Sequence, residues 1–140
     1  MTTKALLDTN VLLDVLAERK SFYADAMRIW TLAESGKIEG HVAAISFTNC
    51  YYIVRRYGGR PAAEKAVRLL RDVFKPVDLT SQILTQAIDS GIADFEDAIQ
   101  FHSAVHAQVP CIISRDPGHF PRAPVTVLSP AEFLAIHKFD

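Results

Sequence analysis

Short apolar runs alternate along this chain with longer segments in which apolar residues recur every three or four positions. Such runs are typical of strands buried on both faces, whereas the longer spacing places apolar residues along one side of a helix. The runs predict strands at residues 5–7, 39–45, 76–79, 110–114 and 125–128. Because predicted helices separate these strands, the pattern indicates a three-layer α/β/α domain with a mostly parallel sheet of about five strands.

Capping residues mark where several predicted helices begin and end. Ser21, Thr80 and Asp94 have side chains that accept hydrogen bonds from a first helical turn, and each precedes a segment with helical spacing. The sequence Ser129-Pro130-Ala131-Glu132 predicts a capping box with proline at the first helical position. Gly58-Gly59 predicts a helix end, with a new helix directly after it.

Length and composition fit one globular domain over residues 1–140. Of these residues 49% are apolar and 22% are charged, and the chain is long enough to form a hydrophobic core. The net charge is only −1, but residues 55–75 carry seven basic and two acidic side chains, a net +5 that leaves −6 for the rest. A basic segment beside acidic ones suits an enzyme that binds a polyanion, although two solvent-exposed helix faces explain the same pattern.

Cysteine usage and the start of the chain predict a cytoplasmic protein. Cys50 and Cys111 lie among apolar residues without CxxC spacing, which is typical of buried thiols in a reducing compartment. The sequence has neither a recognisable signal peptide nor an apolar stretch long enough to span a membrane. We therefore expect a cytoplasmic location.

Two predicted strands are followed by an aspartate. Asp8 follows the first strand, and Asp116 follows the fourth, two residues after Ser114. In open α/β sheets ligands bind beyond the carboxyl ends of the strands, so both carboxylates are candidates for one site. Carboxylates that share a site attract a divalent cation, which points to metal-dependent chemistry. The structural alternatives are a helix cap for Asp8 and a turn residue for Asp116.

A third group of acids opens the helix predicted near residue 95. Asp94 is a good N-cap, and the helix dipole favours Glu96 and Asp97 in a first turn, which is a sufficient structural explanation. Asp94 and Asp97 nevertheless share one face, and Asp97 borders the apolar positions of the helix. An acid in that position is able to point inward to the end of the sheet, with Glu96 as an outer ligand.

The order of these motifs resembles a PIN domain, and in particular the small bacterial VapC-like toxins of type II toxin–antitoxin pairs. The resemblance rests on Asp8-Thr9-Asn10-Val11-Leu12-Leu13-Asp14 at the N-terminus, Asp94-Phe95-Glu96-Asp97-Ala98 at a helix start and Ser114-Arg115-Asp116 at a strand end. It spans nearly the whole chain, as far as residues 130–134.

The resemblance implies an endoribonuclease that depends on Mg²⁺ or Mn²⁺. Its metal ligands are implied to be Asp8, Asp97 and Asp116, with Glu96, Asp94 and Asn49 as further candidates. Side chains that orient those carboxylates from outside the ligand set are Thr9, Asn10 and Ser114. The candidates for binding RNA are Arg115, beside the scissile phosphate, and Arg55, Arg56, Arg60 and Arg68, along the RNA backbone.

The resemblance also implies partners and exposes two departures from the family pattern. The expected partners are RNA, a second copy of the chain in a homodimer, and an antitoxin on a separate chain that inserts a basic side chain into the acidic cleft. Asn49 stands where members of the family usually carry a glutamate, and His119-Phe120 replaces a common Asp-Phe pair. Because an amide brings no charge, Asn49 predicts weaker metal affinity, for which Glu96 and Asp94 are expected to compensate.

Two other functions compete with a ribonuclease. Asn49 leaves open a catalytically weakened PIN domain that binds RNA or a partner protein without efficient cleavage. A phosphoryl-transfer domain with Asp8 as nucleophile is the other alternative. The sequence Asp8-Thr9-Asn10 lacks the second aspartate of a DxD motif, which argues against this last function.

Overall fold

The computed structural model describes residues 2–139. The strands are β1 (Thr3–Leu7), β2 (Ile38–Ala43), β3 (Lys75–Val77), β4 (Cys111–Ile113) and β5 (Thr126–Leu128). The helices are α1 (Thr9–Leu16), α2 (Tyr23–Glu34), α3 (Ala44–Val73), α4 (Ser81–Asp89), α5 (Phe95–His106) and α6 (Pro130–Ile136), and Pro117–His119 forms a 3₁₀ turn after β4. No helix among residues 2–139 has the length and apolar character needed to cross a bilayer.

Within residues 2–139, five strands pair in parallel in the order β3-β2-β1-β4-β5. The predicted α/β architecture with a parallel sheet is therefore confirmed. From β1 the chain builds outwards to β2 and β3, and it then returns to the other side of β1 as β4 and β5. The strand order thus reverses between β1 and β4, and open α/β sheets bind ligands at such a switch point.

Alternate residues of the central strands face opposite helical layers. Leu7 of β1 and Ile113 of β4 pack in one buried cluster with residues of α1, α2, α3 and α6. Leu6 and Ile112 point the other way and pack with Phe101 of α5. Because both faces of the sheet are covered, these strands are continuous apolar runs in the sequence.

Local capping chemistry begins several helices where the sequence predicts it. The Thr80 hydroxyl accepts the Ile83 backbone N–H at 3.1 Å and caps α4. Ser129 and Glu132 exchange the two hydrogen bonds of the predicted capping box at the start of α6. These helix starts were predictable because a cap depends on residues only three positions apart.

The interruption of α3 is also as predicted, whereas the start of α2 is not. Gly59 has φ 86° and ψ 174°, which lie outside the helical region and divide α3 into two segments. The prediction that Ser21 caps α2 is wrong, because Phe22 occupies the cap position and makes no side-chain cap bond. The backbone N–H groups of Phe22 and Tyr23 donate to the Arg19 carbonyl instead, so a backbone turn precedes this helix in place of a side-chain cap.

Candidate functional site

Asp8 lies at the carboxyl end of β1, beside the reversal of strand order. It is 5% exposed, and its backbone N–H donates to the Ile113 carbonyl of β4 at 2.9 Å. Its side chain accepts two hydrogen bonds, at Oδ1 from the Thr9 amide (2.7 Å) and at Oδ2 from the Ser114 hydroxyl (2.8 Å). Asp8 therefore caps α1 and at the same time holds a buried carboxylate at the switch point.

Asp116 reaches the same edge of the sheet from β4. The Ser114 hydroxyl, which donates to Asp8, accepts the Asp116 backbone N–H at 3.0 Å. Asn10 lies alongside, with Nδ2 3.4 Å from Asp116 Oδ2 and Oδ1 3.4 Å from the Arg115 backbone nitrogen. Ser114 thus joins the two strand-end aspartates that the sequence analysis paired.

Glu96 enters the site from the first turn of α5. Its Oε2 atom accepts hydrogen bonds from the Thr9 hydroxyl at 2.6 Å and from the Asn49 side-chain amide at 2.8 Å. These bonds hold the Glu96 carboxylate between α1 and α3. Thr9, which donates one of them, directly follows Asp8 in the sequence. The sequence made Glu96 only an outer candidate, yet it is one of the most firmly held acids in the site.

Two buried polar residues that the sequence analysis did not select support Thr9. Gln100 and Ser46 are both 0% exposed. Gln100 Nε2 donates to Thr9 Oγ1 at 3.1 Å and to Ser46 Oγ at 2.9 Å, and the two hydroxyl oxygens are 2.8 Å apart. Because Thr9 gives its only hydroxyl proton to Glu96, it accepts the other two bonds. A glutamine inside the apolar stretch 98–101 was the available signal, since buried polar groups need partners.

Asp97 stands at the N-terminus of α5, with its side chain 14% exposed. Asp94 caps this helix as predicted, and its Oδ2 accepts the Asp97 backbone N–H at 3.0 Å. His119 Nδ1 lies 3.8 Å from Asp97 Oδ2, so the residue that departs from the family pattern is beside a site acid. Asp94 is exposed and already serves the helix end.

The buried acids of this site are difficult to ionise. Burial raises the pKa of Asp8 to about 6, and the negative charges of Glu96 and Asp116 raise it further. The hydrogen bonds from Ser114 and Thr9 lower this pKa and offset part of the rise. Burial also raises the pKa of Asp97 to about 6, with further contributions from Asp8, Asp94 and Glu96. The carboxylates are close enough to repel one another, and a cation among them would offset that repulsion.

The acids of this site offer oxygen donors to a metal ion. Within residues 2–139, however, no group of three or more His, Cys, Asp or Glu side chains lies close enough together to hold one. The acids that influence one another are all carboxylates, so each donor is a hard oxygen. Oxygen donors of this kind suit a hard ion such as Mg²⁺ or Mn²⁺ better than they suit zinc.

A model of the PIN domain family matches residues 4–117, which include every one of these carboxylates. The chain belongs to the PIN domain family. The family prediction from the three acidic motifs is therefore confirmed. A search of curated protein sequences finds no significant match.

Solved structures similar to this PIN domain include toxins of toxin–antitoxin systems. VapC20 of Mycobacterium tuberculosis, a toxin that cleaves the sarcin–ricin loop, is 17% identical with a TM-score of 0.64, over 77% of this chain and 86% of that one. A toxin–antitoxin complex from Klebsiella pneumoniae is 18% identical with a TM-score of 0.67, over 90% and 97%. DNA-bound VapBC from Salmonella typhimurium is 13% identical with a TM-score of 0.68, over 92% and 99%. At these identities the likeness is one of fold.

In this PIN domain, Asn49 donates to an acid. Its Nδ2 lies 2.8 Å from Glu96 Oε2, at the position where the resemblance expects a glutamate on α3. The carboxylate that position 49 lacks is thus matched by a carboxylate that α5 brings within hydrogen-bond distance. An amide suits this contact because it donates, whereas a glutamate at 49 would place two acids together.

The guanidinium of Arg115 is engaged inside the protein. Its Nε is 3.1 Å from Asp14 Oδ2, and its carbon Cζ lies 4.1 Å from the centre of the Phe22 ring. This pairing makes Arg115 a weaker candidate for the scissile phosphate, and that contact stays a prediction. Asp14 is a further residue that the sequence analysis did not select.

The other predicted RNA-binding residues lie on the surface of α3. Arg55 and Arg56 are exposed in its first segment, and Arg60 and Arg68 are exposed in its second. Glu64 pairs with Arg60 at 2.8 Å and with Arg68 at 3.9 Å. The first two arginines are therefore the stronger candidates for phosphate contacts, and RNA binding by all four stays a prediction.

Proposed function

We propose that this PIN domain is a metal-dependent endoribonuclease that hydrolyses RNA phosphodiester bonds, as the toxin of a toxin–antitoxin pair. The observation that carries this proposal is the group of mutually repelling carboxylates at the switch point of a PIN fold. A site that holds ionisable acids together at the cost of raised pKa values is typical of functional sites. The fold shared with VapC toxins supports the toxin assignment.

The cofactor we propose is Mg²⁺ or Mn²⁺, held by Asp8, Asp97 and Asp116 with Glu96 as a fourth acid. When bound, such an ion stabilises charge on the phosphate oxygens and activates water for hydrolysis. The hard oxygen donors of this site fit this ion, and a zinc site would instead use His and Cys. Asn49 acts in this proposal as the donor that orients Glu96.

The residues around the acids hold them in place before substrate binds. Ser114 fixes one oxygen of Asp8 and the backbone of Asp116, while Thr9 fixes the other oxygen of Asp8 and one oxygen of Glu96. Groups that orient ligands from outside the coordination shell commonly change metal affinity by roughly 10–100-fold when mutated. These hydrogen bonds therefore orient the individual carboxylates at the ends of strands and helices.

Substrate and partners follow from charge and from the structural relatives. We propose that Arg55 and Arg56 bind the RNA backbone, which positions RNA without reading its sequence. Because similar structures are toxin–antitoxin complexes, we also propose an antitoxin on a separate chain and a homodimer of this one. A cytoplasmic location remains the prediction from the sequence.

The proposal is tested with purified protein and a labelled RNA, in EDTA and in added Mg²⁺ or Mn²⁺. We expect cleavage only with the divalent ion, and no detectable cleavage by Asp8→Asn. Asp89→Asn is the control, because Asp89 is an exposed acid at the end of α4, outside the site. Cleavage that persists in EDTA would contradict metal dependence.

A second candidate function is a PIN domain that binds RNA without efficient cleavage. The neutral side chain at Asn49 favours it, because the site then has fewer acids on α3 than the family pattern expects. Filter binding of the same RNA separates the two functions. RNA binding and metal binding by a wild type that does not cleave would favour this second function.

A further inference from the structure

Asp14 is a fully buried acid that lies outside the proposed ligand set. It lies in α1, is 0% exposed, and faces two cations. Arg115 Nε is 3.1 Å from Asp14 Oδ2, and Arg19 Nη1 is 3.7 Å from Asp14 Oδ1. Burying a carboxylate costs free energy even when it is paired, so stability alone is a poor explanation for an acid at this position.

The partner of Asp14 belongs to the turn that carries the site residues after β4. Arg115 stands between Ser114, which donates to Asp8, and Asp116. The backbone N–H of Arg115 makes only a long contact with Asn10, at 3.4 Å. The Arg115 side chain has two further contacts, an ion pair with Asp14 and a cation–π contact with the ring of Phe22.

We propose that Asp14 is a positioning residue that acts through Arg115 to hold the turn of residues 114–116 against α1. This inference rests on the proposed function, since the turn presents Ser114 and Asp116 to the metal site. The ion pairs of Asp14 are with Arg115 and Arg19, outside the proposed ligand set. Its charge fixes the Arg115 side chain, and the covalent chain carries that constraint to the residues on either side.

If Arg115 affected the site only through its charge, Arg115→Gln would change Mn²⁺ affinity in the opposite direction. Removing the positive charge of Arg115 beside an acidic site would strengthen cation binding if charge alone mattered. Removing one anchor of the turn would weaken Mn²⁺ binding, because Ser114 and Asp116 would be held less firmly by their remaining hydrogen bonds. The direction of the change in Mn²⁺ affinity for Arg115→Gln therefore separates the two roles.

The first experiment is calorimetric titration of Mn²⁺ into the full chain and its variants. We expect Arg115→Gln and Asp14→Asn each to weaken Mn²⁺ binding by roughly tenfold. The double variant should bind no more weakly than either single one, because Asp14 acts through Arg115. Arg19→Gln is the charge-matched control, with no weakening expected. Tighter binding by Arg115→Gln, or additive losses in the double variant, would overturn the inference.

The second experiment needs neither metal nor cleavage. Amide hydrogen exchange at residues 114–116 should become faster in Asp14→Asn and Arg115→Gln than in wild type and Arg19→Gln. If the wild type fails to bind Mn²⁺, the proposed function fails, and this exchange result alone decides the positioning role. Phe22→Leu, at a half-exposed side chain, provides a folded variant should Asp14→Asn unfold. Unchanged exchange in both Phe22→Leu and Arg115→Gln would refute the role of Asp14.

Discussion

The side-chain amide of Asn49 donates a 2.8 Å hydrogen bond to the carboxylate of Glu96. The two residues come from different helices, α3 and α5. Position 49 on α3 has no acid, but its amide donates to an acid from α5 and holds it in place. Several measurable consequences depend on this pair and on the buried aspartates beside it.

Exchanging the two side chains should preserve the metal site. Glu96→Gln alone should weaken Mn²⁺ binding by roughly tenfold or more, since it removes a charge from the ligand field. The double variant Asn49→Glu/Glu96→Gln keeps one acid and one amide in contact, and we expect it to bind Mn²⁺ within a few-fold of wild type. Calorimetric titration checks both, with Gln82→Glu on the exposed face of α4 as control. No recovery in the double variant would count against the pairing.

Asn49→Glu alone is expected to tighten Mn²⁺ binding while lowering stability in EDTA. The added carboxylate lies against Glu96 and repels it without a cation, whereas with a cation the extra charge becomes favourable. Thermal unfolding in EDTA and titration of Mn²⁺ measure the two effects. Equal or weaker affinity would show that position 49 lies outside the site.

Asp8→Asn should stabilise the metal-free protein while it abolishes cleavage. Burial raises the pKa of Asp8 from 3.8 to about 6, so ionised Asp8 destabilises the fold by about 2–3 kcal/mol at neutral pH. Asparagine removes this charge and still caps α1. Denaturant unfolding in EDTA at pH 7.5 should give a higher free energy of unfolding than wild type. A less stable Asp8→Asn would indicate that its hydrogen bonds outweigh the cost of burying the charge.

The metal-free protein should lose stability as the pH rises from about 4 to about 6. The folded pKa values of Asp8 and Asp97, both about 6, lie above the ordinary value of 3.8, so the native state binds more protons than the unfolded state in this window. The destabilisation by the two ionised aspartates is absent below about pH 4 and complete above about pH 6. Thermal unfolding of wild type and Asp8→Asn in EDTA should diverge across this range. Parallel curves would argue against a raised pKa of Asp8.

Gln100→Met tests the buried network under Thr9. Gln100 donates to both Thr9 and Ser46, and we expect the loss of these bonds to lower the free energy of unfolding by about 1–2 kcal/mol. Methionine has a similar shape and leaves little cavity. Gln82→Met, on the exposed surface of α4, is the matched control. Equal stability of Gln100→Met and wild type would mean that the network is dispensable.

Salt dependence tests the proposed RNA contacts on α3. Each phosphate contact that is lost should reduce the slope of log affinity against log salt by about 0.7 for single-stranded RNA. We expect this reduction in Arg55→Gln and Arg56→Gln, measured by filter binding with the Asp8→Asn protein to prevent cleavage. Arg28→Gln, exposed on α2, should leave the slope unchanged. Unchanged slopes in all three variants would place the RNA elsewhere.

The sequence predicted only part of the candidate site. Some of its residues have roles that follow from their immediate neighbours in the sequence, and others depend on partners far away along the chain. Asp8 and Asp116 were found from their places after apolar strands, and Asp94 from its capping position. Gln100 was missed because its partners lie on α1 and α3, far from it in the sequence.

Sequence patterns alone were enough to predict the α/β architecture, the PIN domain family and the strand ends that carry Asp8 and Asp116. These features arise from periodicity, caps and chain order, which act over a few residues at a time. The contacts of Asn49 with Glu96 and of Arg115 with Asp14 became apparent only in three dimensions. The physical reason is that packing chooses side-chain partners across elements 47 and 101 residues apart along the chain, and no local pattern encodes that choice.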